Sequence, residues 1–303
     1  METQFDLIII GSGPAGLSAA VYAARAGVSF IVLEAAYSSG GQVLNTHEVD
    51  NYLGLCGMNG FEMGMKFREH AETLGAAFVN KKVGVINNIE ETQKEIVCED
   101  GSVYYAKNII LATGAVPARL DVPGEEEYRG KGVSYCAACD GNFFKGKSVA
   151  VVGGGDTALE DAVYLARICE KVYVIHRRDA FRGAKSLEDK LYTCDNVDVL
   201  WDTVVEQIRG TDVVQSLSVM NTRLNMPGTL RVDGVFIAVG TRPVSELLAG
   251  KVLTDERGYI VADEDCATNI AGVFAAGDVR RKNFRQIITA ASDGANAVNS
   301  LIL

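Results

Sequence analysis

The sequence predicts a two-domain α/β protein in which the second domain is inserted into the first, and three observations predict it. A short apolar strand at residues 5–10 runs directly into a glycine turn and an alanine-rich helix. The same strand, glycine turn and helix recur from Ser148 onward. The last stretch, a strand ending in Gly277-Asp278 followed by a further alanine-rich helix over 287–298, is too short to fold alone and must return to the first domain. At 303 residues the chain can bury two cores of ordinary size.

Composition narrows the function classes. A formal net charge of −10 gives phosphate backbones no general attraction, which argues against a nucleic-acid partner. No run of eighteen apolar residues is present, so no membrane span is expected. The apolar opening follows Glu2 and Asp6 rather than a basic segment and is broken by glycine and proline at 11–16, unlike a secretory leader. Seven cysteines, an odd number with only one close pair, do not make a secreted disulfide framework, and the expected compartment is the reducing cytoplasm.

Taken in order, Phe5-Asp6-Leu7-Ile8-Ile9-Ile10 suits a buried parallel strand entering Gly11-Ser12-Gly13-Pro14-Ala15-Gly16. Gly11 permits the tight turn, Gly13 leaves room for a pyrophosphate, and Gly16 lets helix and strand close up. The phosphate would lie on the helix N-terminus, where unpaired N–H groups and the dipole favour an anion. A second strand ends at Glu34, about 20 residues on, where an acid accepts hydrogen bonds from a ribose. Strand, turn, helix and terminal acid together make this a Rossmann-like dinucleotide-binding unit. Gly40-Gly41-Gln42 comes after it, either a close approach to a flat ligand or an ordinary turn. A helix over 61–75 and a β-meander over 83–105 are expected, then the strand 108–112 ending in Thr113-Gly114. Pro117, Pro123 and the acidic run Glu125-Glu126-Glu127 mark a boundary near residue 116, the acidic run reading as a solvated linker face.

Cys136-Ala137-Ala138-Cys139-Asp140 comes next. Two thiols three positions apart can close a small disulfide ring, and a CxxC beside a βαβ unit reads as redox chemistry. Half of a zinc site would need a second ligand pair, and neither another CxxC nor an H-x(3-5)-H pair exists among His47, His70 and His176. The second glycine loop, Gly153-Gly154-Gly155-Asp156-Thr157-Ala158, lies just beyond. Laying Gly153 on Gly11 puts His176, Arg177 and Arg178 where Glu34 stood, with Arg182 four residues further. The sign has reversed: an acid here favours free ribose hydroxyls, whereas basic residues accommodate a 2′-phosphate, so the second nucleotide is expected to be NADP(H). Residues 235–240 repeat the closing strand, giving an insertion over 117–245 and a discontinuous outer domain of 1–116 and 246–303. Asp278 would reach a polyol chain such as ribitol, or serve only as a turn or capping aspartate.

Two glycine loops, a CxxCD between them, the HRRxxxR run and the terminal Gly272-to-Asp278 stretch together resemble the low-molecular-weight thioredoxin reductases, flavoproteins of the pyridine nucleotide-disulfide oxidoreductase superfamily. The resemblance covers essentially the whole chain. It implies FAD on Gly11, Gly13, Gly16, Glu34, Gln42, Asp278 and Gln286, with Gly41, Thr113, Gly114 and Gly277 adjoining. It implies NADPH on Gly153, Gly155, Ala158, His176, Arg177, Arg178 and Arg182, with Asp156 and Thr157 adjoining. By the same resemblance Cys139 faces the flavin, Cys136 attacks the disulfide of thioredoxin or a thioredoxin-like partner, and Asp140 moves the proton. Ala138 stands where many relatives have threonine. A homodimer is implied, and so is a domain rotation that lets the dithiol and the nicotinamide take turns at the flavin. A flavin disulfide reductase fed by ferredoxin, or one serving a peroxiredoxin-type acceptor, is the alternative, and Arg177, Arg178 and Arg182 favour NADPH over it.

Overall fold

Residues 7–10 are apolar without alternation because both faces of the first strand are covered, and all four are buried. This strand, β1 (Gln4–Ile10), leads into α1 (Pro14–Arg25), whose Pro14 sits at the first turn where its missing N–H costs nothing. Ala15, Ala19, Ala20 and Ala23 form its buried face and let it lie close to the sheet. Then come β2 (Phe30–Glu34), α2 (Gly60–Thr73) capped by the Asn59 side chain, β3 (Phe78–Asn80), β4 (Val83–Asn87), β5 (Lys94–Cys98) and β6 (Val103–Leu111). The computed structural model describes residues 3–46, 49 and 51–302.

A short strand, β7 (Ala115–Pro117), ends this first run. The inserted stretch holds β8 (Val133–Ser134), α3 (Ala137–Asp140), β9 (Ser148–Gly153), α4 (Asp156–Ala166), β10 (Lys171–Ile175), α5 (Lys185–Tyr192) and β11 (Val197–Leu200). It continues through β12 (Thr203–Gly210), β13 (Val214–Asn221), β14 (Met226–Arg231) and β15 (Gly234–Ala238). β16 (Thr241–Pro243) pairs with β7, and the chain finishes with β17 (Val273–Ala275) and α6 (Ile287–Ile302).

The chain divides into two compact units, Met1–Val116 with Arg242–Leu303, and Pro117–Thr241. In the first, β3-β2-β1-β6-β5-β4 form one sheet with β17 added on β6. β1 runs parallel to β2 and β6, while β4, β5 and β6 meander antiparallel. The second unit repeats this plan as a parallel sheet, β11-β10-β9-β15-β8, beside a separate antiparallel meander, β12-β13-β14. The fold is therefore the expected α/β class with two Rossmann-like sheets.

Two local features depart from expectation. The acidic run is not wholly a solvated face: Glu125 is 1% exposed, and its carboxylate accepts the backbone N–H groups of Leu120 and Asp121 and the hydroxyl of Tyr135. A buried carboxylate needs such donors, and three converge here. α6 also runs past 298 to Ile302, since neither glycine nor proline follows Val298 to stop it.

Candidate functional site

In the first unit the βα turn is shaped by contact on one side and space on the other. Gly11 has φ +107, and a Cβ there would lie 2.4 Å from the carbonyl oxygen of Ala112. A Cβ on Gly16 would lie 1.9 Å from the carbonyl oxygen of Gly11, so helix and turn could not close. Gly13, between them, is open: the nearest atom to its missing Cβ is Gly41 Cα at 4.0 Å. The Gly40-Gly41 loop thus lies over this turn, held by the Gly40 N–H donating to Ser12 O at 2.8 Å. Gln42 is exposed beside it.

Glu34, at the end of β2, is 5% exposed. Ser39 Oγ donates to Glu34 Oε2 at 2.6 Å and Arg68 Nη1 donates to Oε1 at 2.7 Å. Arg68 is fixed in turn by Glu72 and by the Phe78 ring, 3.5 Å from its guanidinium carbon. Burial works to raise the Glu34 pKa, but the Ser12 and Ser39 hydroxyls and the Arg68 guanidinium outweigh it and hold the carboxyl below its ordinary range. The acid is therefore kept ionised as an acceptor. Thr113 Oγ1 donates to Val244 O at 2.5 Å, and Gly114 follows with φ +70.

After β17, Gly277 and Asp278 form a short turn. Asp278 Oδ1 is buried with no hydrogen-bond partner, and so is Arg285 Nε. Burial pushes the Asp278 carboxyl up while Lys282 and Arg285 pull it down. An orphaned acceptor of this kind is a place prepared for a donor from outside the chain. The turn is tied from beneath by Asp293, 5% exposed, which accepts Gly277 N–H at 2.9 Å, Arg280 Nε at 3.0 Å and Lys282 Nζ at 2.8 Å. Gln286 Oε1 accepts from Asn51 at 2.9 Å.

The second unit repeats the turn with altered parts. A Cβ on Gly153 would meet Ala238 O at 2.3 Å and Ala158 Cβ at 2.8 Å, so Ala158 fills the place that Gly16 holds in the first unit. Around the missing Cβ of Gly155 nothing lies within 4 Å. His176 is 4% exposed with its ring directly under Gly154, whose Cβ would come within 2.4 Å of it. Its Nε2 lies 3.1 Å from Ala180 O, and Phe181 and Trp201 complete an aromatic cluster with ring centroids 5.8 and 6.1 Å away. Burial, with the three neighbouring arginines, holds the imidazole pKa down.

The arginine loop is pinned back onto the glycine turn twice more. Arg182 N–H donates to Gly154 O at 2.7 Å, and Ala184 N–H donates to Asp156 Oδ1 at 2.6 Å. Thr157 lies exposed beside Asp156 in the first turn of α4. Arg177, Arg178 and Arg182 are exposed, and among the described residues none of them forms an ion pair. Three unpaired cations on one loop beside an open helix start could hold a phosphate.

The same unit carries Cys136 and Cys139, joined as a disulfide with Cα atoms 5.4 Å apart. Cys136 caps α3, and the Cys139 N–H donates to Cys136 Sγ at 3.1 Å. Such a donor favours a thiolate at that sulfur once the bond is reduced. Ser134 Oγ donates to Asp140 Oδ2 at 2.6 Å and accepts the Cys136 N–H at 3.0 Å. Two thiols outside the pair are buried in the cores: burial pushes Cys169 up to about 11 and Cys266 up to about 12, the range of inert core thiols.

Residues 5–294 match the family described as pyridine nucleotide-disulphide oxidoreductase. A thioredoxin reductase of Peptoclostridium acidaminophilum is 42% identical over 98% of this chain and 96% of its own. The Lactococcus lactis thioredoxin reductase in its FR conformation superposes with a TM-score of 0.93 at 41% identity, over 98% of both chains. The chain belongs to the thioredoxin reductases. It is thus a disulfide oxidoreductase of the pyridine nucleotide family, and Cys136 and Cys139 are its disulfide-capable pair. More distant is a ferredoxin-flavin thioredoxin reductase of Clostridium acetobutylicum, 31% identical over 99% of this chain and 97% of its own, with a TM-score of 0.53.

Within this family the described site adds groups that motif reading misses. Arg68, Ser39 and Asp293 support the first cradle, and Phe181 and Trp201 support the second. Phe181 falls inside the HRRxxxR run without being one of its basic residues; the other four lie in no motif, and only three-dimensional proximity brings them in. Ser134, two residues before the CxxC, could have been suspected from its spacing alone.

Proposed function

We propose that the chain takes electrons from NADPH, passes them through FAD to the Cys136–Cys139 disulfide, and delivers them to thioredoxin. The observation that carries this reading is a disulfide in the same unit as an open glycine turn flanked by three unpaired arginines. FAD fits the first unit by two features: the open space at Gly13, and the orphaned Asp278 carboxylate oxygen, which suits a polyol hydroxyl. Glu34 would receive ribose hydroxyls, with Gly11, Gly16, Gly41, Gln42, Thr113, Gly114, Gly277 and Gln286 around the ligand. NADPH fits the second unit at Gly153, Gly155, Asp156, Thr157 and Ala158, with Arg177, Arg178 and Arg182 on the 2′-phosphate. His176 supports that loop from below.

When bound, the two cofactors supply two-electron transfer from nicotinamide through flavin to the disulfide. The rest belongs to the chain's own groups. Cys136 as thiolate attacks the thioredoxin disulfide, forming a Cys136–S bond while the partner's S–S bond breaks. Asp140 gives its proton to the departing sulfur. Cys139 then attacks Cys136 Sγ, re-forms the intramolecular disulfide and expels the second thioredoxin sulfur, which takes a proton from solvent. Two electrons leave the dithiol and enter the partner.

We further assign the protein to the cytoplasm as a homodimer, on the cysteine usage and the family resemblance; among the described residues no helix is long and apolar enough to cross a membrane. A ferredoxin-fed reaction is the rival reading, and three unpaired arginines give it no use. Anaerobic addition of NADPH decides between them: bleaching of the flavin supports the proposal, and a flavin that stays yellow with NADPH but is reduced by ferredoxin overturns it.

A further inference from the structure

We infer that Ser134 is a positioning residue that serves Asp140 in both of its protonation states, an inference that rests on the dithiol reading above. Ser134 ends β8, is 5% exposed, and is fixed by parallel pairing of Phe236 with Ser134. Its Oγ stands among three groups: Asp140 Oδ2 at 2.6 Å, Cys136 N at 3.0 Å and Cys136 O at 3.2 Å. Among the described residues it is the one side chain hydrogen-bonded to the Asp140 carboxyl.

A hydroxyl has one proton to donate and two lone pairs to accept with, so it cannot donate to Asp140 and to Cys136 O together. The Cys136 N–H occupies one lone pair throughout. With Asp140 ionised, the hydroxyl proton points at Oδ2 and the second lone pair is idle. With Asp140 protonated, its O–H donates to that lone pair, and the serine proton turns to Cys136 O. Asp140 and Ser134 stay bonded to each other in both states, Cys136 O keeps the Asp140 backbone N–H at 3.1 Å throughout, and the turn that caps α3 keeps its place as the proton moves.

The proton step fits this exchange. As the Cys136 thiolate bonds to the partner sulfur and the partner's S–S bond breaks, the leaving sulfur takes the Asp140 proton. The carboxylate left behind needs a donor at once, and the Ser134 hydroxyl is already within reach. The electron pair comes from the reduced dithiol, and the serine gains and loses none.

The test is a double-mutant cycle read in two ways. Ser134→Ala should lower kcat for thioredoxin reduction on the order of tenfold to a hundredfold with KM for thioredoxin little changed. The same fall should appear in a single turnover with protein reduced chemically by dithiothreitol and no nicotinamide nucleotide present. Ser134→Thr, which keeps the hydroxyl, should restore most of the rate, a result that a purely structural defect would not give. In an Asp140→Asn background Ser134→Ala should cost less than about twofold more, because the two side chains act as one unit. Wild-type rates in Ser134→Ala, or losses that simply multiply in the double variant, overturn the proposal. A wild-type protein inert toward thioredoxin would instead remove the dithiol reading, and the proposal with it.

Discussion

The two units build the same turn and finish it differently. In each, a glycine packs against the closing strand, at Gly11 on Ala112 and at Gly153 on Ala238, and a second glycine two residues later stands open, Gly13 and Gly155. The residues at the end of the second strand separate them. Glu34 is buried and already held by Ser39 and Arg68, whereas Arg177, Arg178 and Arg182 project unpaired from a loop braced by His176. On the function proposed above, the fold would supply the phosphate cradle and the side chains at one strand end would choose the nucleotide. The second unit alone adds a dithiol, so a repeated architecture carries two separable tasks.

The largest effect separates those tasks. Cys136→Ser should reduce thioredoxin turnover to background while NADPH still bleaches the flavin, measured by turnover assay and anaerobic absorbance; loss of both would mean the path is misassigned. Next, the Arg177→Ala/Arg178→Ala variant should raise KM for NADPH about a hundredfold and leave that for NADH within about twofold, since each charge-assisted contact is worth roughly 1.5–3 kcal/mol. Equal loss for both nucleotides would erase the contrast drawn between the two strand ends.

A smaller effect concerns the first unit. Arg68→Met leaves Glu34 without its cation partner and should lower stability by about 1–2 kcal/mol at neutral pH, read from the urea midpoint. Because the folded-state pKa of Glu34 is depressed, its contribution is present above the ordinary glutamate range and is lost as pH falls through the depressed value. In Arg68→Met, where the depression is lessened, that acid loss should be smaller. Urea midpoints that fall together with acid in both proteins would sink this account of the pair.

The smallest lies in the meanders. The first unit buries Lys94, 2% exposed with its amine on Glu91 O at 2.9 Å, while no buried lysine occurs among the described residues of the second. Burial holds the amine's pKa below the ordinary lysine value, so the folded state binds fewer protons than the unfolded one between those values and stability rises with pH there. Lys94→Met should therefore raise Tm by about 2–4 °C at neutral pH, an effect of about 1 kcal/mol, and the gain should shrink in alkali. A melting curve unchanged at neutral pH, or a gain that grows with pH, would contradict it.

Much of this comparison was legible in the sequence because it rests on backbone chemistry. Apolar runs with glycine at fixed offsets locate β1, α1, β9 and α4 within a few residues, and the sign change from Glu34 to Arg177 needs only alignment of the two turns. Features that depend on partners distant in the chain were not legible. Glu125 reads as one of three solvated acids until Tyr135 and two backbone N–H groups are brought to it. That the His176 ring lies under Gly154 is likewise visible only in three dimensions. Arg68, in the middle of α2, carries no local signal that it caps Glu34, 34 residues away in the chain. The second meander, β12 to β14, also escaped notice, because its exposed edge strand Met226–Arg231 lacks the alternation that marks a half-buried strand.

The most direct test of the relay is anaerobic titration of the flavin-loaded protein with two equivalents of NADPH or of NADH, one for the flavin and one for the disulfide, followed by alkylation of free thiols. NADPH should bleach the flavin and make Cys136 and Cys139 available to alkylation, while NADH at the same concentration leaves both oxidised. A flavin untouched by NADPH, or one reduced equally by the two nucleotides, would contradict the account.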